Sequence, residues 1–122
     1  MKILIATDQN SLESRVAKRF GRANYYIKID AKTNNRETIS VEEGKEHHEI
    51  IPALAKDGVS IVIAENVGPK SFTLLQEHNI KFASAKNMTA EEALEKAVKG
   101  QLKYIEEPTI KSSIGEKGIL PL

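Results

Sequence analysis

The run Val59–Ala64 (VSIVIA) constrains this chain most: it is almost wholly apolar, without the polar alternation of a half-exposed strand, so it needs cover on both faces. Such a strand belongs in an α/β sheet flanked by helices, and its neighbours supply them. Upstream, Ile50, Ala53 and Leu54 follow helical spacing as far as Asp57-Gly58, with Pro52 in the first turn and Gly58 as the stop. Downstream, Gly68-Pro69 opens a helix through about His78, with Phe72, Leu74 and Leu75 facing the core.

The remaining segments extend this pattern. Met1–Thr7 reads as a buried strand ending at Asp8-Gln9-Asn10. Ser11–Arg19 is expected as a short helix, with Ser11 or Ser14 as N-cap and Leu12 and Val16 on one face. Tyr25–Asp30 and Glu37–Val41 are strand-forming stretches around the polar segment Ala31 to Arg36, which predicts a β-hairpin. Ile80–Ser84 is a further short strand. Thr89 and Glu92 have capping-box spacing, and Ala93, Leu94, Ala97 and Val98 continue an amphipathic helix up to Gly100. Two or three opening strands followed by strand, helix, strand and helix imply a mixed sheet. From Glu106 onward, Pro108, Gly115, Gly118 and Pro121 among scattered apolar residues read as an irregular tail, available to pack on a partner subunit.

At 122 residues the chain suits a single domain. Its 18 basic and 17 acidic side chains leave a net charge of +1, so the footprint of a nucleic-acid binder is missing. Cysteine is absent, which excludes disulfides, thiolate catalysis and cysteine-held clusters while leaving histidine and carboxylate ligation open. The first apolar run is too short for a signal peptide and no later run reaches membrane-spanning length, so a cytoplasmic protein is expected, with no membrane association.

Three stretches in order resemble one family: Met1–Asp8 leading to Ser14-Arg15-Val16; Phe20-Gly21-Arg22-Ala23 before the Tyr25 strand; and Val59–Ala64 followed by Val67-Gly68-Pro69-Lys70. The helix entry His47-His48-Glu49-Ile50-Ile51-Pro52 and the ending Thr89–Gly100 fall in matching places. The chain resembles the dinitrogenase iron-molybdenum cofactor biosynthesis family, nitrogenase accessory proteins among them, over a domain of roughly residues 1–103, with 104–122 as the irregular tail. The resemblance implies a ribonuclease-H-like α/β fold with a mixed five-stranded sheet flanked by helices. It also implies transient binding of an iron-sulfur or iron-molybdenum cluster, and a protein partner in cluster assembly. Where members associated with the cofactor often carry histidine before Phe-Gly, this chain has Arg19, whose guanidinium pairs with anions but does not ligate metal. The glycine-rich stretch usual after the fourth strand is here the bulkier Glu65-Asn66-Val67-Gly68.

Several residues could carry chemistry. The Gly68-Pro69-Lys70-Ser71 turn either simply starts a helix or holds an anion with its free N–H groups and Lys70; the spacing of a Walker loop is absent. His47 and His48 are adjacent and diverge by about 100° at a helix start, so they are solvated loop residues or one of them is a metal ligand beside Glu46 and Glu49. His78 reads as a structural residue at a helix C-terminus. Phe20 should be buried, Gly21 should allow a tight turn, and Arg22 has structural and anion-binding readings of equal standing.

The reading that follows is a binding or carrier module and not an enzyme. Its pocket lies near the carboxyl ends of the first and fourth strands, lined by Asp8, Arg19, Phe20, Arg22, Asn66, Gly68 and Lys70, with His47 or His48 at the rim. The ligand class is a metal cluster or an anionic small molecule. Two alternatives stand beside it. One is a metal-dependent phosphoryl-transfer enzyme or nuclease using Asp8 and Glu65, with Asp30 as a third carboxylate if the three converge. The other is a ligand-free regulatory or scaffolding protein; a homodimer fits any of the three.

Overall fold

The computed structural model describes residues 1–41 and 43–110. The strands are β1 (Lys2–Thr7), β2 (Tyr25–Asp30), β3 (Arg36–Ile39), β4 (Val59–Ala64), β5 (Lys81–Ser84) and β6 (Lys103–Tyr104), in the order β3-β2-β1-β4-β5-β6. The parallel pairs β1·β4 and β4·β5 form the centre, while β2, β3 and β6 add antiparallel strands at the two sides. The sheet is therefore mixed, and it has six strands where the family resemblance implied five. The addition is the two-residue β6, which carries the sheet one residue past the expected domain boundary at 103.

Side-chain alternation divides the core into two layers. Leu4, Ala6, Tyr26, Val62, Ala64 and Phe82 point to one face, where they meet Ile51 and Leu54 of α1 (Ile51–Lys56) and Phe72 and Leu75 of α2 (Pro69–Glu77). Ile3, Ile5, Ile27, Ile29, Ile61 and Ile63 point to the other, against Ala90, Ala93 and Ala97 of α3 (Ala90–Val98) and against Leu12 and Val16. The cover on both faces of β4 that its composition demanded is present: Ile61 through Ala64 are at most 4% exposed. Among the described residues no helix is long and apolar enough to cross a membrane.

Most local expectations hold to within a residue or two. β3 occupies Arg36–Ile39 and not Glu37–Val41, because its register against β2 runs from Ile29↔Arg36 to Tyr26↔Ile39. The hairpin turn is built on Asp30, whose Oδ1 accepts N–H bonds from Lys32 and Thr33, and on Asn34 at φ +66°. Gly58 leaves α1 at φ +89°, the left-handed conformation that its placement predicted.

The expected helix Ser11–Arg19 does not form. Its backbone groups pair elsewhere: Ala17 N–H donates to the Ala6 carbonyl, Glu65 N–H to the Ala17 carbonyl, and Phe20 N–H to the Asn66 carbonyl. The carbonyls of Ser14 and Leu12 accept from Ala90 and Glu91 in the first turn of α3. Ser14, expected as a possible N-cap, instead accepts the N–H groups of Asp8 and Gln9 on its hydroxyl. Leu12 and Val16 do share one apolar cluster, so the apolar pattern located the face correctly while tertiary hydrogen bonding decided the conformation.

The tail expected from Glu106 is irregular through Ile110, and its part from 111 to 122 lies outside the described residues. The capping box at α3 is complete: Thr89 Oγ1 accepts from Glu92 N–H at 3.2 Å and Glu92 Oε1 accepts from Thr89 N–H at 2.9 Å. Thr89→Ala is expected to cost about 1 kcal/mol, lowering the thermal unfolding midpoint by about 4 °C, whereas Thr89→Ser should stay within about 1 °C of the parent. Thermal denaturation followed by circular dichroism checks both.

Candidate functional site

β1 and β4 are adjacent parallel strands whose onward connections leave in opposite directions, to β2 on one side and through α2 to β5 on the other. That divergence opens a crevice at their carboxyl ends, where ligands of open α/β sheets bind. The segment Arg15–Phe20 crosses this end. Its isolated bridges Thr7↔Val16 and Arg19↔Asn66 stitch it to the ends of both strands. The Asn66 amide donates to the Lys18 carbonyl at 3.1 Å, which holds Arg19 at the crevice mouth.

A cleft of about 240 Å³ lies there, lined by Arg19, Gly21, Arg22, Glu46, His47, His48, Gly68, Lys70 and Ser71. Three cations face it, and among the described residues none of Arg19, Arg22 or Lys70 forms an ion pair. The lining carboxylate belongs to Glu46, which starts the 3-10 turn His47–Ile50; its backbone N–H donates to the Glu49 carboxylate at 3.0 Å and its carbonyl accepts from Glu49 N–H at 3.0 Å. In a chain of net charge +1, this is a local excess of positive charge.

The amino end of α2 adds to it. Gly68 is the N-cap and Pro69 the first helical residue, and no side chain caps the turn, so its N–H groups are open to an anion. Ser71 is 8% exposed and lines the cleft, and among the described residues its hydroxyl makes no hydrogen bond. A buried hydroxyl without a partner is costly unless a ligand or water satisfies it. Gly21 and Gly68 both line the cleft with ordinary negative φ, and a Cβ built on either meets no protein atom within 4 Å. Gly21 does sit in a tight 3-10 turn, Phe20–Arg22, as the sequence suggested, though with no need of a positive φ; at both positions the missing side chain leaves cleft space open.

His47 is oriented from below. The Tyr26 hydroxyl lies 2.7 Å from His47 Nδ1 and also hydrogen-bonds the Phe20 carbonyl. A carbonyl only accepts and a phenol has one proton, so that proton goes to Phe20 and the His47 contact requires a proton on Nδ1. Neutral His47 then carries its lone pair on Nε2. Burial, opposed by the charge of Glu46, holds the imidazole below its ordinary range. Burial also pushes the Tyr26 phenol far above its ordinary range, so it keeps the proton this arrangement needs. The partly buried imidazole at the cleft thus presents a free nitrogen lone pair near neutral pH, with its second nitrogen anchored as metal-ligating histidines usually are.

The structure brings together Arg19, Arg22, His47, His48, Gly68 and Lys70 of the expected site residues. Phe20 and Asn66 support them from behind: Phe20 is fully buried beside Tyr26, with ring centroids 5.3 Å apart, and Asn66 holds the Arg19 segment. Asp8 is exposed at the end of β1 and does not line the cleft. Asp30 cannot join it, because it pairs with Lys2 at the opposite end of β1. Glu65 Oε2 accepts from Asn87 N–H at 3.5 Å. Among the described residues no three His, Asp or Glu side chains converge as a metal site. Sequence reasoning missed Tyr26 and Ser71 as site residues. Tyr26 reads as one more aromatic strand residue, and its contact with His47, 21 positions away, has no local signal.

Comparison with known proteins bears on the same residues. Residues 1–100 match the family described as dinitrogenase iron-molybdenum cofactor. The apo form of the orange protein from Desulfovibrio gigas is similar in structure, with a TM-score of 0.77 and 27% identity over 88% of this chain and 95% of that one. A putative NifB protein from Thermotoga gives 0.76 and 26% over 91% and 98%. A putative dinitrogenase from Methanocaldococcus jannaschii gives 0.68 at 18% identity over 88% and 97%, a likeness of fold. No curated protein matches the sequence significantly.

Donor counting at Tyr26 predicts the histidine tautomer. Nitrogen NMR should show neutral His47 protonated on Nδ1 and titrating below the ordinary imidazole value of about 6.5. Tyr26→Phe should abolish the Nδ1–H preference; an Nε2–H tautomer in the parent protein would refute the arrangement.

Proposed function

Because this chain belongs to the dinitrogenase iron-molybdenum cofactor family, we propose that it is a carrier that holds a small anionic metal cluster in the cleft between the Arg19–Arg22 segment and the amino end of α2. The observation that carries this reading is the convergence, on one cleft, of three cations that form no ion pair among the described residues, uncapped helix N–H groups and an imidazole with its lone pair on Nε2. Anionic clusters need positive charge and hydrogen-bond donors around them, and a borderline metal accepts imidazole nitrogen.

The donor set also defines how the cargo is held. With no cysteine in the chain, no thiolate can anchor a cluster, so the cargo must bring its own sulfide or oxide ligands. Arg19, Arg22, Lys70, the Ser71 hydroxyl and the α2 N–H groups bind its outer atoms, and His47 Nε2 is the protein's metal ligand. Binding of this kind has few covalent anchors and suits transfer to an acceptor protein. A carrier needs no general base or nucleophile, and we assign none.

The test is anaerobic reconstitution with iron, sulfide and molybdate, then desalting, metal analysis and absorption spectroscopy. Metal should be retained in stoichiometric amount. Arg19→Ala, Lys70→Ala and His47→Ala should each weaken retention roughly tenfold or more, as expected for loss of a charge-assisted contact. Gly68→Ala should also weaken retention while leaving the unfolding midpoint unchanged, since its added methyl meets only open cleft. A colourless, metal-free parent protein would overturn the reading.

A further inference from the structure

Val67 immediately precedes the N-cap of α2 and is fully buried, so its backbone N–H and C=O must find partners inside the protein. They find them in two adjacent residues, 42 and 43 positions away. Val67 N–H donates to Thr109 Oγ1 at 2.9 Å, while the Val67 carbonyl accepts from Thr109 N–H at 3.0 Å and from Ile110 N–H at 3.1 Å. The Thr109 hydroxyl also reaches that carbonyl at 3.3 Å, giving its proton a place to go. The chain arrives there after pairing Ile105 N–H with the Phe82 carbonyl at 2.9 Å, so the segment from Ile105 to Ile110 runs from the sheet edge back to the cleft.

We propose that Thr109 is a positioning residue for the cleft: it clamps both backbone groups of Val67 and thereby fixes where Gly68, Lys70 and the open N–H groups of α2 stand. Thr109 does not line the cleft. It acts one residue upstream of the turn that does, at the point where β4's extended backbone gives way to the helix. The clamp also lies outside residues 1–100, the part of the chain that the family accounts for. Without the Thr109 hydroxyl, the buried Val67 N–H loses its partner while the carbonyl keeps the backbone N–H groups of Thr109 and Ile110, and the turn gains alternatives that put its N–H groups out of line. The consequence for ligand binding rests on the carrier reading; the consequence for the turn does not.

The experiment uses full-length Thr109→Val, which keeps the side-chain shape and removes the hydroxyl, and Thr109→Ser, which keeps the hydroxyl. Molybdate affinity is measured by calorimetry, and amide hydrogen exchange is measured at Val67 and across the rest of the domain. Thr109→Val should weaken molybdate binding about three- to tenfold and speed exchange at Val67, whose N–H loses its partner, by a similar factor, with Thr109→Ser near the parent in both. A merely structural role would raise exchange throughout the domain and would not be rescued by serine in binding alone. Unchanged exchange at Val67 in Thr109→Val overturns the clamp. Faster exchange there with unchanged molybdate affinity overturns its role in positioning. If the parent itself fails to bind molybdate, it is the carrier reading that fails for this anion, and the exchange data still decide whether Thr109 holds the turn.

Discussion

The parallel pairing of β1 with β4 is the contact on which the rest of the structure depends. Both strands are inaccessible over most of their length and both faces of the pair are covered, so their positions are dictated by burial in two layers at once. Because β1 then continues toward β2 and β4 toward β5, the chain must part at their carboxyl ends. A crevice at that point follows from topology before any side chain is considered, and the functional residues are those the topology delivers to its walls.

Three separate pieces of chain form those walls, each secured by a different device. The Arg15–Phe20 segment is stitched to the strand ends by backbone bonds and by the Asn66 amide. The His47–Ile50 turn is closed by the reciprocal bonds of Glu46 and Glu49, and its histidine is steered by Tyr26 from within the core. The Gly68–Ser71 turn is fixed from behind by Thr109. Each device leaves polar groups on the cleft side without partners among the described residues, the pattern expected where a ligand completes the hydrogen bonding. The absence of thiol donors makes the site one of charge, hydrogen bonds and imidazole, a set suited to holding an anion reversibly.

Much of the fold was legible in the sequence because local chemistry and tertiary burial agree there. Thr89 and Glu92 form their capping box in a few residues of chain, Gly58 takes the left-handed conformation that ends α1, and Val59–Ala64 has no polar face to expose. Ser11–Arg19 was misjudged for the opposite reason. Leu12 and Val16 fit a helical face, but the backbone of this segment finds partners on β1, β4 and α3, and those long-range bonds displaced a marginal helix of under ten residues. The candidate site was legible as residue types and partly as position: Arg19, Arg22, Gly68 and Lys70 do share a cleft, whereas Asp8 does not line it.

By itself, then, the sequence determined the layer architecture, the helix and strand periods, the position of the Gly68–Ser71 turn that starts α2 and the exclusion of thiolate chemistry. These depend on composition, spacing and local capping, which act over a few residues. Only the tertiary structure decided that the two histidines meet the arginines, that Tyr26 sets the tautomer of His47 and that Thr109 holds Val67. Those contacts join residues 21 to 42 positions apart, and a single hydrogen bond at such separation leaves no periodic or compositional trace. It exists because the packed sheet and helices have already brought both partners to the same end of the molecule.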